Sequence, residues 1–436
     1  MPDAPSSSFD PTSATPAATA GVPVDLPAEP TGLFVQAPPA PLSAPHPTLL
    51  HSGMSVARFF GMHAMGVIFP LTAGLLLFGW RALVLVCVVL LSTAGATAVW
   101  RRIGARGAQL HYSHALWMAL LLALMLPAHL IDGSISPRTD LPQLWPLPVA
   151  AGIALTVLIW ILGGVGLGRI HPVLIAYLLL TIFFDQTLVS HHVLQRGRLF
   201  TGDVLDSAAP ERSGSRVADT PREPWLSARL DPKHAAVWID PPSQRLWSFT
   251  TGTERPDRAW LSLEGLLRDR MPPLEDLIIG AQPGAIGTGS AIAVIIGGLF
   301  LLYRGLIDYR IPLLIVLTAF VALLMLPIPV VITENQPQWR WLAFRAPGVG
   351  LATAITFVNY EILASPLLFM AFFLATGPAV RPMSRRGRTV YAILTGFAVA
   401  FFQLYASVTY GPYLGLLLIS LLTPSLDKVF RPRALV

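Results

Sequence analysis

Asp185 in TIFFDQTLVS, Glu361 in VNYEILAS and His63 in RFFGMHAMG each interrupt a long apolar run. An ionisable side chain inside such a run is costly in hydrocarbon, which marks it as a candidate functional group facing protein or water. Asp185 and Glu361 are therefore candidates for contact with a cation or a proton, although both stand within a turn or two of an expected helix end, where interfacial placement explains them equally well. Two glycine-rich segments follow: GGVGLGRIHP at Gly163–Pro172 and GAQPGAIGTGS at Gly280–Ser290. Glycine admits close approach of backbone, and an open helix N-terminus offers N–H groups and a positive dipole end to anions such as a flavin phosphate. Gly163, Gly164, Gly166, Gly284, Gly287 and Thr288 are the candidate binding residues, and tight helix packing is the other reading of the same glycines. A third segment, SPLLFMAFFLATGPAVRPMSRRGR at Ser365–Arg388, reads on its own as a helix with a basic stop. No acid–base–nucleophile set, His/Cys metal spacing or P-loop lysine stands anywhere in the chain, so neither catalytic residues nor a metal site is expected. The single cysteine, Cys87, lies inside an apolar stretch and has no disulfide partner.

The elements that position these residues must sit in a membrane. Of 436 residues, 53% are hydrophobic and 12% charged, with a mean hydropathy of +0.61, a balance no water-soluble domain carries. The net charge of +6 is spread between apolar runs, which speaks for topology control and against nucleic-acid binding. Residues 1–50 are rich in Pro, Ala, Ser and Thr and read as a disordered tail. Apolar runs of spanning length are expected near 59–79, 81–100, 113–131, 147–166, 172–190, 286–303, 311–333, 350–375, 389–408 and 411–427, the eighth long enough to be tilted or interrupted. With the N-terminus inside, 13 Lys and Arg residues fall on the cytoplasmic side and 4 in short loops opposite, so both termini are expected in the cytoplasm of a cell inner membrane. The fold class is then all-α and polytopic, with about ten spans as two inverted five-helix halves, 51–190 and 285–436. Between them lies an extracytoplasmic connector, 191–284, whose Trp225, Trp238, Trp247 and Trp260 argue for a folded cap.

Taken in order, the motifs resemble the RnfD/NqrB family, membrane subunits of Rnf-type electron-transport complexes and of the Na⁺-translocating NADH:quinone oxidoreductase. GGVGLGRIHPV is similar to the family's GGLGxNxFNPA, and GAIGTGSAIAVIIGG (Gly284–Gly298) is similar to GSIGETS with its apolar run. Arg310–Pro312 matches an Arg-Ile-Pro, and MAFFLATGPAVRPMSRRGR resembles GAFFMATDPVTSPxxxxGR. The chain departs from the family at polar positions: Thr288-Gly289 replaces Glu-Thr, His171 replaces Asn, and Gly377 replaces Asp.

The resemblance implies a flavoprotein component of such a complex. Family members carry FMN through a phosphoester to a threonine shortly before the GSIGETS motif, which here points to Thr253 in SFTTGTERPD, with Thr251 next. It also leaves room for a second, non-covalent flavin, and implies that the glycine turns line a flavin site. Partners would be the lipid bilayer, the other subunits of an Rnf/Nqr-like complex, and Na⁺ or H⁺. Two other readings stay open: a flavin-less structural paralogue in such a complex, and a small-solute transporter resembling urea channels.

Overall fold

The computed structural model describes residues 55–103, 110–131, 146–164, 170–188, 192–194, 229–231, 236–238, 242–251, 262–269, 271–280, 284–333, 336–378 and 380–430. The expected tail, 1–50, lies outside them. The chain divides into Met1–Ser52 and Gly53–Val436, and the structure below is that of the second unit.

The first half contains α1 (Val56–Phe78), α2 (Trp80–Ile103), α3 (Tyr112–Met125), α4 (Pro146–Ile161) and α5 (Pro172–Leu188). Ser55 caps α1 by accepting from the Arg58 N–H at 3.2 Å, and Gly79, at φ 67°, ends it. The connector holds strands β1 (His192–Leu194), β2 (Arg229–Asp231) and β3 (Ala236–Trp238), paired antiparallel in the order β1-β3-β2, and three short helices: α6 (Pro242–Thr251), α7 (Leu263–Asp269) and α8 (Leu274–Ile279). The second half begins with α9 (Ala291–Tyr303) and α10 (Arg310–Met325), then the hairpin β4 (Ile328–Thr333) and β5 (Gln336–Arg340). It continues with α11 (Leu351–Ala364), α12 (Leu367–Leu374), α13 (Arg385–Tyr405) and α14 (Gly411–Val429).

Among the described residues, α1, α2 and α13 are long and apolar enough to cross a membrane alone, and five shorter apolar helices accompany them. The run expected at 350–375 is interrupted: α11 and α12 meet at 64°, the geometry of a broken span or of a re-entrant loop. The break falls at Ser365-Pro366, where proline removes a backbone donor and disfavours helical conformation before it. The all-α expectation is corrected by the two small sheets. In particular, the span expected to continue to 333 stops at Met325, because IPVVIT combines β-branched valines and isoleucines with a proline and pairs as a strand. The span expected at 113–131 likewise ends at Met125, ahead of Pro127, and gives way to a 3₁₀ turn at Ala128–Ile131.

The halves share a packing pattern. In the first, α2 packs on α3 and α4, α4 on α5, α1 on α3, and α3 on α5. In the second, α10 packs on the broken span and on α13, α13 on α14, α9 on α12, and α12 on α14. These pairings correspond when the broken span is matched to α3, while the α1–α2 and α3–α4 packings of the first half have no equally extensive counterpart in the second. Between the halves, α1 meets α9 and α14 meets α5, each helix against its own counterpart, as a local two-fold relation requires. The correspondence reaches single residues. Gly152 of α4 sits against Ser92, Thr93 and Val89 of α2, and Gly396 of α13 sits against Ile315, Thr318 and Ala319 of α10. Thr93 and Thr156 tie the first crossing by donating to backbone carbonyls, including that of Gly152. On the outer faces, Leu83, Cys87, Leu91 and Val99 of α2 and Leu313, Leu317, Val321 and Met325 of α10 recur at helical spacing and are exposed. Apolar stripes of that extent suit lipid.

At the basic end, Arg388 binds two segments at once. It donates to Asp308 at 3.0 Å, to the Pro382 carbonyl at 3.0 Å and to the Met383 carbonyl at 3.2 Å. Asp427 accepts from the Met383 N–H at 2.9 Å and Thr423 donates to the Val380 carbonyl at 2.9 Å. Burial alone would raise the Asp308 carboxyl. The hydrogen bonds from Arg388 and the Arg310 N–H, with both guanidinium charges, outweigh it and hold the group below its ordinary value. A depressed carboxylate stabilises the fold above its unfolded value, about pH 4, and loses that contribution as pH falls through the depressed value. Arg388→Ala is expected to cost about 1–2 kcal/mol. Asp308→Asn should flatten the acid limb of a thermal-midpoint profile, and an unchanged limb would contradict this assignment.

Candidate functional site

The two glycine segments serve different ends of the bundle. Gly163 and Gly164 adopt φ of 91° and 71° and close α4, their N–H groups bonding back to Trp160 and Ile159. This is a helix C-terminus, whose carbonyls disfavour an anion. Gly166 lies outside the described residues. In the second segment, Ala285 bridges Pro127, the Ile286 N–H donates to the Leu126 carbonyl at 3.1 Å, and the Gly287 N–H donates to the Leu124 carbonyl at 2.7 Å. A Cβ on Gly287 would stand 2.7 Å from Leu124 Cβ and 3.0 Å from the Phe369 ring. Thr288 donates both its N–H and its hydroxyl to the Ala285 carbonyl, and Gly284 is open, with Thr288 Oγ1 at 3.6 Å from its Cβ position. At Gly287 and Thr288 the backbone is committed to α3 and its own turn, so close packing explains them. His171, the penultimate residue of the first segment, interacts electrostatically with His114 in the first turn of α3. The motifs thus meet α3 at opposite ends of a 14-residue helix, about 20 Å apart.

What the structure does bring together is a cluster of histidines and aromatic rings between the halves. His63 Nδ1 is 3.0 Å from the Phe59 carbonyl, and its ring lies 4.4 Å from that of Phe59 and 5.6 Å from Trp117. His114 lies 4.9 Å from Phe60. His171 packs on the second half at Gly377, where a Cβ would stand 3.4 Å from the imidazole Cδ2. All three histidines are buried, and Nδ1 of His114 and of His171 has no partner among the described residues. Arg381, part-buried in the following turn, acts electrostatically on His63. Burial and the neighbouring Arg388 lower its guanidinium from its ordinary value against the opposing pull of Asp308. Two of the family-like segments therefore converge here, through the very positions, His171 and Gly377, at which the chain departs from the pattern. His63 was legible as a polar residue in an apolar run. His114 was not singled out, although its spacing of three from Trp117 places both on one face of α3.

Glu361 is fully buried in the last turn of α11. Its Oε2 accepts from Gln403 Nε2 at 2.6 Å, and the same nitrogen donates to the Glu361 carbonyl at 2.8 Å. Gln403, on α13, escaped sequence reasoning because a neutral amide near a helix end is unremarkable. Asp185 directly follows a break in α5 at Phe184, φ −136° and ψ 35°, and its side chain lies outside what the structure describes. Thr251 ends α6, is exposed and donates to the Trp247 carbonyl at 2.7 Å. Thr253 lies outside the described residues.

A family model described as NQR2, RnfD, RnfE matches residues 43–436. The D subunit of the Na(+)-translocating ferredoxin:NAD(+) oxidoreductase complex of Acetobacterium woodii is 30% identical over 166 residues, 37% of this chain and 43% of that protein. The D subunit of the ion-translocating oxidoreductase complex of Halorhodospira halophila is 26% identical over 369 residues, 84% of this chain and 87% of that protein. The D subunit of the proton-translocating ferredoxin:NAD(+) oxidoreductase complex of Clostridium ljungdahlii is 26% identical over 156 residues, 36% of this chain and 41% of that protein. The chain thus spans under half of the Acetobacterium and Clostridium relatives and most of the Halorhodospira one. Because the family match runs through both halves of the helical bundle, the chain belongs to the NQR2, RnfD, RnfE family.

Proposed function

We propose that this chain is a membrane-embedded subunit of an Rnf- or Nqr-type electron-transport complex that couples electron transfer to movement of Na⁺ or H⁺ across the inner membrane. The observation that carries the reading is a family match unbroken over residues 43–436, which covers the whole described fold. Relatives named for Na⁺ and for protons leave the ion as one of the two. The matched packing of α1–α5 and α9–α14 supports two inverted halves with ten spans, and the basic residues near 101, 304, 310 and 385–388 support cytoplasmic termini. The other members of the complex supply the nicotinamide and iron–sulfur chemistry that nothing in this sequence resembles.

FMN joined to Thr253, or to Thr251, would sit on the connector outside the membrane. The histidine cluster suits a second, non-covalent flavin: the enclosed Nδ1 atoms of His114 and His171, without a partner among the described residues, could hydrogen-bond a flat ring, and Phe60 beside His114 and Trp117 beside His63 could flank it. The flavin supplies the electron-accepting chemistry when bound, and the protein supplies position and electrostatics. His114 and His171 would orient the ring, the aromatic walls would exclude water, and Arg381 would set the local charge. The departures at His171, Gly377 and Thr288-Gly289 favour one other reading, a structural component of the same complex without covalent flavin.

The test is in-gel fluorescence of the denatured chain from cells expressing a flavin transferase. A band lost in Thr253→Ala and kept in Thr251→Ala is expected. Fluorescence surviving Thr253→Ala would move the attachment. A dark chain that still co-purifies with partner subunits would be the structural paralogue, and a dark chain without partners would leave the urea-channel-like transporter.

A further inference from the structure

The Glu361–Gln403 pair stands apart from the flavin machinery and carries a site of its own. Both side chains have no exposed surface. Glu361 lies in the last turn of α11, directly before the break at Ser365-Pro366, where the negative end of the helix dipole opposes a carboxylate. Its free backbone carbonyl and its Oε2 share one donor, Gln403 Nε2. Gln403 thereby caps the broken helix, and its donor is committed. Two oxygens remain, Glu361 Oε1 and Gln403 Oε1, both enclosed and neither partnered among the described residues.

No described positive charge answers the carboxyl. The electrostatic influences on Glu361 are its burial and the Gln403 hydrogen bond, and no basic group contributes. Two tyrosine hydroxyls of the same helices are engaged elsewhere: Tyr360 donates to the Pro272 carbonyl at 2.5 Å and Tyr405 to the Pro327 carbonyl at 2.8 Å. An unpaired carboxylate in this position would cost several kcal/mol, so something of positive charge must neutralise it. A hard cation takes about six oxygen ligands, and the side chains of the pair offer two unpartnered oxygens. A single proton neutralises the group differently, because it turns one orphan acceptor, Glu361 Oε1, into a donor, while Gln403 Oε1 stays an acceptor.

We propose that Glu361 and Gln403 form a proton-binding site at the break of the α11–α12 span, with the proton held on Glu361 and Gln403 positioning the acid. The site rests on the ion-translocation reading only for its purpose; its occupancy by a proton is a property of this chain. The break gives that proton a mechanical meaning. Removing it would place a bare charge at the hinge between α11 and α12, and the hinge would have to open to water or to a cation.

Infrared spectroscopy of the full chain in lipid vesicles tests this directly, with Glu361→Gln as the reference. One protonated-acid carbonyl band is expected in the wild type and lost in the variant. In Gln403→Met the band should persist and move to higher frequency, because the acid carbonyl loses its hydrogen bond. Loss of a carboxylate band in Glu361→Gln would overturn the proposal, as would conversion of the acid band to a carboxylate band when NaCl replaces choline chloride, which would make the pair a Na⁺ site. A chain without flavin that keeps the acid band would sink the redox reading and leave the proton site standing.

Discussion

Replacing Gly396 with leucine is expected to prevent the second half of the bundle from assembling. A Cβ at this position would stand 2.6 Å from the Ile315 carbonyl oxygen, 2.8 Å from Thr318 Cβ and 3.1 Å from the Ala319 nitrogen. Two of those three atoms belong to the backbone of α10 and cannot rotate away, so α10 and α13 would have to separate along their whole crossing. Modest overpacking costs about 1–3 kcal/mol. Four added carbons against backbone should exceed about 4 kcal/mol, enough to remove the folded state of a marginally stable protein. The counterpart, Gly152, supplies the control. Its closest neighbour is Ser92 Oγ, a side-chain atom that can turn, ahead of Thr93 Oγ1 at 2.9 Å and the Val89 carbonyl at 3.0 Å. Gly152→Ala should therefore lower the thermal midpoint less than Gly396→Ala. Size-exclusion profiles and thermal midpoints in detergent read both comparisons. A monodisperse Gly396→Leu protein with a wild-type midpoint would refute the close-packed crossing.

The positions of the apolar helices were legible because each is a long run of hydrophobic residues, which hydropathy registers directly. The ends were less so. Hydropathy cannot distinguish the apolar strand Ile328–Thr333 from a last helical turn, and it overlooks Pro127 when the residues beyond it are also apolar. The break at Ser365-Pro366 announced itself only as a run too long for one straight span. At the candidate site, composition alone exposed the residues that are rare in their surroundings, His63 and Glu361. His114 and Gln403 are ordinary near helix ends, and their significance comes from packing between segments far apart in the chain, His114 near His171 and Gln403 on Glu361. The glycine segments show the same limit. Sequence reveals that backbone can come close at Gly287, but whether its N–H meets a ligand or the Leu124 carbonyl depends on where α3 ends.

Restoring the family's residues at the interface between the halves should succeed only when both are restored together. Gly377→Asp alone places a Cβ 3.2 Å from the Leu374 carbonyl and 3.4 Å from His171 Cδ2, with the carboxyl group beyond it in buried space that the imidazole fills. Crowding and an added buried charge should cost about 2–4 kcal/mol. His171→Asn alone removes part of a ring and leaves Gly377 bare, a smaller loss of about 1–2 kcal/mol. In the double variant the asparagine vacates the ring's volume and offers an amide donor to the new carboxylate, so each change answers the other. The cycle should show a favourable coupling of about 1–3 kcal/mol, read from thermal midpoints. Additive losses would mean that His171 and Gly377 are neighbours without being partners. The imidazole would then be filling space left by other changes in the chain.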